Sequence, residues 1–168
     1  MALYAIYNGP MPTTAAQAPV TTGTAIKTML QVKLGTQLTG KIVEWGISFD
    51  GSAAATPGKC ELCETGTVFG TVTASAAADI TKYGDPNLVD PTTSAFVVGT
   101  SATGYTCTSE GSITAVRMFD AVLLPPTAPY VKQFPLGREP VINVSTAMRI
   151  RVTFGAAINA ICYVIIEI

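Results

Sequence analysis

The chain has 168 residues, of which 48% are hydrophobic and only 12% charged; it contains no histidine and carries a net charge of −1. Without histidine it lacks the usual base of a nucleophilic triad, and its ten scattered Lys and Arg residues do not form the cationic face that nucleic-acid phosphates require. A chain of this length supports one domain with a sizeable core, and a surface this poor in charge is expected to be shared with neighbouring subunits.

Residues 1–26 are uncharged, yet Pro10, Pro12 and Pro19 interrupt them and Asn8 and Gln17 dilute them, so they read neither as a signal sequence nor as a membrane helix. Residues 3–7 are expected to be a strand, and 1–25 as a whole an extended arm that contacts another subunit. Period-2 alternation then predicts a strand over 26–34, with Ile26, Thr28, Leu30, Val32 and Leu34 on one face and Lys27, Met29, Gln31 and Lys33 on the other. The next strand, 42–50, sets Val43, Trp45, Ile47 and Phe49 against Glu44, Gly46 and Ser48. Strands are also expected at 59–65 and 68–73. Residues 74–83 are alanine-rich and predict two helical turns, capped by Ser75 and ended by Gly84-Asp-Pro-Asn. Further strands are expected at 113–119 and at 148–154, where Met148, Ile150, Val152 and Phe154 oppose Arg149, Arg151 and Thr153. The last, 160–168, is apolar on both faces, as a central strand or one covered by another subunit would be. Residues 152–166 are uncharged but fall short of the roughly 20 apolar residues that span a bilayer.

The 15 glycines and 11 prolines cluster in the connections, at 50–58, 85–104 and 124–129. About eight short strands between such turns predict an all-β fold: a single-domain antiparallel β-sandwich of jelly-roll type over 26–168, with an open barrel as the nearest alternative.

Candidate chemistry is sparse. In a strand, Cys60 and Cys63 of the Cys-Glu-Leu-Cys run point to opposite faces, which argues against a shared metal. Cys60, Cys63, Cys107 and Cys162 read as packed, reduced thiols, with a Cys107–Cys162 bridge as the open alternative. Gly99-Thr-Ser-Ala-Thr-Gly104 lacks the spacing of a nucleophile elbow and reads as a loop. Glu44 and Asp50, joined by Glu61 if their strands form a hairpin, are the one carboxylate set that acid–base hydrolysis could use; solvated surface acids are the simpler reading. Asp85 and Asp90 offer calcium oxygens, but the two Asp-Pro steps are explained by turns. No catalytic residue, metal or cofactor is expected. Candidate partner contacts are Arg149 and Arg151, which otherwise pair with acids on neighbouring strands, and Arg138 and Glu139, presented by a turn stiffened by Pro135 and Pro140.

Three segments carry a resemblance: Val43-Glu-Trp-Gly-Ile-Ser-Phe-Asp-Gly-Ser, Tyr130-Val-Lys-Gln-Phe-Pro-Leu-Gly-Arg-Glu-Pro and Arg149-Ile-Arg-Val-Thr-Phe-Gly-Ala-Ala-Ile-Asn-Ala-Ile-Cys-Tyr. In order and spacing the chain from about Gly23 onward resembles a family of small virion structural proteins of tailed double-stranded DNA bacteriophages. The resemblance implies a non-enzymatic capsid decoration or cement protein, often trimeric, made in the host cytoplasm and bound to the major capsid protein on the virion surface, with residues 1–25 as the latch. It implies neither a nucleic-acid nor a membrane partner. A tail-associated or carbohydrate-binding module is the alternative, and it requires aromatic side chains exposed on one sheet face.

Overall fold

The alternating segments fold as strands of two antiparallel sheets, seen in a computed structural model that describes residues 2–52, 56–87, 95–112 and 117–168. In chain order they are β1 (Leu3–Tyr7), β2 (Val20–Thr21), β3 (Lys27–Lys33), β4 (Gly40–Phe49), β5 (Gly58–Glu64), β6 (Thr71–Ala74), β7 (Ile80–Lys82), β8 (Gly104–Ser109), β9 (Arg117–Leu124), β10 (Tyr130–Gln133), β11 (Val141–Ile142), β12 (Ala147–Thr153) and β13 (Asn159–Glu167). One sheet runs β10-β4-β13-β1-β7, with β11 also on β4 and β2 on β13; the other runs β6-β8-β3-β12-β5-β9. The two pack as a β-sandwich around one core that includes Trp45, Leu30, Ile150, Val164 and Ile166.

The strand that is apolar on both faces is central. β13 lies between β4 and β1, so both its edges are hydrogen-bonded. Ala160, Cys162, Val164 and Ile166 point inward and have no exposed surface.

The expected arm over 1–25 is held by its own chain at both ends. β1 pairs with β13 and β7, and Tyr4 and Ile6 enter the core. Asn8, with no exposed surface, donates from Nδ2 to the Ala160 carbonyl at 3.0 Å and accepts from the Cys162 amide at 2.9 Å. β2 then pairs with Asn159 and Ala160.

Among the described strands the register shifts at four places, and three of these are one-residue bulges. Opposite β12 the register jumps from Leu30 to Thr28, so Met29 is the extra residue. Met29 therefore joins Leu30 in the core, while Thr28 turns to the outer face beside Arg151. This reverses the expected placement of both residues, because an inserted residue changes side-chain parity. Val43 is the extra residue between the β13 partners of Ile42 and Glu44, and it leaves the inward place to Ile42. Phe119 is the third, between the β5 partners of Met118 and Asp120.

The helix expected at 74–83 is reduced to one 3₁₀ turn, Ala77–Asp79, between β6 and β7. Asp79 caps it by accepting from the Ala76 amide at 2.8 Å, and Ile80 is drawn into the core opposite Ile6. Burial of Ile80 in an extended conformation outweighs the helix preference of alanine. The strand expected at 68–73 begins at Thr71, and of 113–119 only 117–119 fall within the described residues, in β9.

Loops cover the outer face of the six-stranded sheet and bury Arg149 and Gln31 completely. Arg149 donates to the Glu110 carboxylate at 3.2 Å, the Glu110 carbonyl at 3.0 Å and the Val68 carbonyl at 2.9 Å. Gln31 exchanges bonds with the Gly70 backbone and donates to the Ala102 carbonyl at 2.9 Å. Removing one member of a buried ion pair strands the other charge. Glu110→Ala should therefore lower unfolding free energy by on the order of 3 kcal/mol, read as a lower denaturant midpoint; an unchanged midpoint would contradict this role for the pair.

Candidate functional site

The outer face of the seven-stranded sheet is open at its centre, where β1, β13, β4 and β10 lie side by side. Gly46 on β4 stands opposite Tyr163 on β13, and a Cβ at Gly46 would lie 2.5 Å from the Tyr163 ring. The glycine thus lets the ring lie against the sheet, a close approach of the kind that glycine within a strand often marks. Tyr7, directly opposite Tyr163 on β1, sets its ring 5.5 Å away at 32°. The Tyr163 hydroxyl donates to Glu44 at 2.5 Å. Burial, and then this carboxylate, push the Tyr163 phenol above its ordinary value.

Two shallow cavities flank the ring pair and share Tyr7 and Ile161. One, of about 220 Å³, is lined by Pro10, Met11, Gln17 and Asp79; the other, of about 270 Å³, by Ser48, Val131 and Tyr163. Gln17 Nε2 is buried without a hydrogen-bond partner. Such a surface can stack a ring or an apolar side chain, with the Gln17 amide as a possible donor.

The carboxylates do not converge. Glu44 and Glu61 belong to different sheets, because β4 and β5 do not pair as a hairpin. Asp50 instead binds Asn159, accepting from its amide and its side-chain nitrogen at 2.9 Å each, and these bonds hold its carboxyl below the ordinary value. Glu61 accepts from Arg151 at 2.9 Å across the β5–β12 pair. Arg151 is 8% exposed and pairs with Glu61 on the neighbouring strand, one of the two roles expected of it, while Arg149 is 0% exposed and pairs with Glu110.

Two further acids serve as ties. Asp120 on β9 accepts from Trp45 Nε1 at 3.1 Å, the Tyr130 hydroxyl at 2.9 Å and Lys132 at 2.8 Å, and so joins the two sheets along one side. Glu64 accepts from Arg117, the Asn143 amide and the Thr146 hydroxyl. These ties are invisible in the sequence, since each joins residues far apart in the chain.

The four cysteines are free and buried. Cys60 belongs to the core, whereas Cys63 lies opposite Arg149 on the other side of its sheet. Burial pushes Cys60 up to about 12 and Cys63 to about 11, so neither is a ready thiolate nucleophile. Among the described residues no group of three or more Cys, Asp or Glu side chains is placed to hold a metal, and no helix is long and apolar enough to cross a membrane. Asp90 lies outside the described residues, so its calcium reading has no geometry here.

The turn after β10 shows its tip to solvent. The Arg138 amide donates to the Pro135 carbonyl at 2.9 Å, Gly137 takes a φ of +80°, and Leu136 is 92% exposed. Arg138 is exposed beside it, and Glu139 is half-buried.

No family model matches this chain, and no curated protein or solved structure matches it either.

Burial and the bond to Asp120 push the Tyr130 phenol up to about 12 from an ordinary 10.0. A raised phenol favours the folded state fully below its unfolded value, and that advantage is lost as pH rises toward the folded one. The denaturant midpoint should fall between pH 10 and pH 12, and fall less steeply in Tyr130→Phe; identical slopes would remove Tyr130 from the cause.

Proposed function

We propose that this chain is a non-enzymatic virion structural protein of a tailed bacteriophage, a decoration or cement protein that binds the major capsid shell from outside as a homo-oligomer. One observation carries the reading: of the eleven large apolar side chains exposed among the described residues, six (Met118, Leu123, Val131, Leu136, Val141 and Val144) fall between residues 118 and 144. Met118 and Leu123 lie on β9 of one sheet and Val131 and Val141 on β10 and β11 of the other, and we read this exposed apolar stretch as contact surface on both sheets. The fate of the acids agrees with it, since Glu61, Glu64, Glu110 and Asp120 are all bonded within the chain. The resemblance to phage virion proteins supplies the kind of partner. The Leu136 turn suits docking, because its bracketing prolines leave little freedom to lose on binding. Purified virions should contain the protein, and Leu136→Asp should weaken its binding to capsid shells at least about tenfold, the effect of 1.4 kcal/mol, with no loss of thermal stability. Absence from virions would end this reading.

A second reading is favoured by one feature, the Tyr163 ring laid over Gly46 with Tyr7 beside it. Paired rings on an open sheet face can stack a sugar ring, which makes a carbohydrate-binding or tail-associated module the alternative. It requires oligosaccharide binding that Tyr7→Ala abolishes; a glycan array without hits discards it.

A further inference from the structure

Four strands end the two sheets, and β9 differs from the other three. It has eight residues, against four in β6, three in β7 and four in β10. It pairs with β5 along one side, and no described strand pairs with the other. An edge of this length offers a row of backbone donors and acceptors to any extended chain, and proteins usually blunt it with lysine or proline. β9 contains neither. Its two charges are occupied within the chain, Arg117 by Glu64 and Asp120 by Lys132, so no free charge repels a like strand. A bulge and an inward acid can also blunt an edge. Here the bulge at Phe119 changes parity, which places Met118 opposite Cys63 and Leu123 opposite Lys59, on the same outer face as Ala121 opposite Glu61. Met118 is 49% exposed and Leu123 65%.

We propose that β9 is a homodimer seam, in which a second copy of this chain adds its own β9 antiparallel to the first across a two-fold axis at Ala121. A two-fold axis normal to the sheet keeps the outer face outer in both copies. Leu123 of each copy then falls beside Met118 of the other, and the exposed apolar side chains cover one another in two symmetric pairs. Asp120 meets Val122, so no like charges are opposed. Closed two-fold pairs are the commonest oligomer and need one self-complementary patch. The seam deepens the homo-oligomer part of the proposed function and rests on it, and it replaces the implied trimer with a pair.

Opposed residues in an antiparallel ladder have Cα atoms about 4.5–5.5 Å apart, within disulfide range. Ala121 is exposed, and the four native thiols are buried. Purified Ala121→Cys protein should therefore convert under mild oxidation to a dimer that a reductant reverses, whereas Leu38→Cys should not. By light scattering the unaltered protein should be a dimer and Leu123→Lys a monomer with the same circular dichroism. A monomeric or trimeric unaltered protein, or a dimer indifferent to both β9 changes, would overturn the seam. These measurements use purified protein alone, so they stand or fall separately from the presence of the protein in virions.

Discussion

A guanidinium with no exposed surface governs how the six-stranded sheet is finished. Arg149 sits on the outward side of β12, where an ordinary sandwich would meet water. A charge taken out of water must be paired and hydrogen-bonded. Arg149 meets that requirement at its two terminal nitrogens, by drawing the Val68 carbonyl and both the backbone and the carboxylate of Glu110 over the sheet, and leaves its buried Nε without a partner. Burial pulls its pKa down, and Glu110 is the strongest counterweight. Glu110 in turn accepts from the amide and hydroxyl of Thr28 at 2.6 Å each. That Thr28 faces outward at all depends on the bulge at Met29. Bulge, ion pair and loop cover are thus one mechanical unit.

The same economy separates the two outer faces. The six-stranded sheet uses Arg149, Arg151, Glu61 and Glu110 to seal itself, and Asp120 and Glu64 fasten strands and loops along its β9 side. At the centre of the seven-stranded face Tyr163 engages Glu44, and Asp79 borders the cavity beside Tyr7. Asp120, Glu64, Glu61 and Glu110 each hold a knot of structural bonds.

Much of this was legible where one rule acted alone. Alternation correctly set Trp45, Ile47, Ile150 and Val152 inward, because period-2 patterning reports a half-buried strand directly. It failed at Met29 and Val43, where a single inserted residue flips the pattern and leaves no trace in composition. The alanine run before Tyr83 misled because local helix preference is weak beside the burial of Ile80. Arg149 and Arg151 were set on one face with an acid as partner for each; the burial of Arg149 was not legible, since the Val68 and Glu110 that cover it lie far away in sequence. Gly46 within an alternating strand was a usable sign of close approach. Its partner, Tyr163, is named only by register.

The pairing of β1 with β13 sets Leu3 against Glu167 and joins the first of the described strands to the last. β13 also supplies the partner of β4. The seven-stranded sheet therefore has no centre until β13 has left the ribosome, whereas β3, β5, β8 and β12 can assemble somewhat earlier. Pairings this distant in sequence are slow to form, and unpaired strands invite association while they wait. During synthesis β1 and β4, with their apolar faces, depend on a strand not yet made. Among the described strands, the order of translation thus leaves the seven-stranded sheet to close only after β13 has been made.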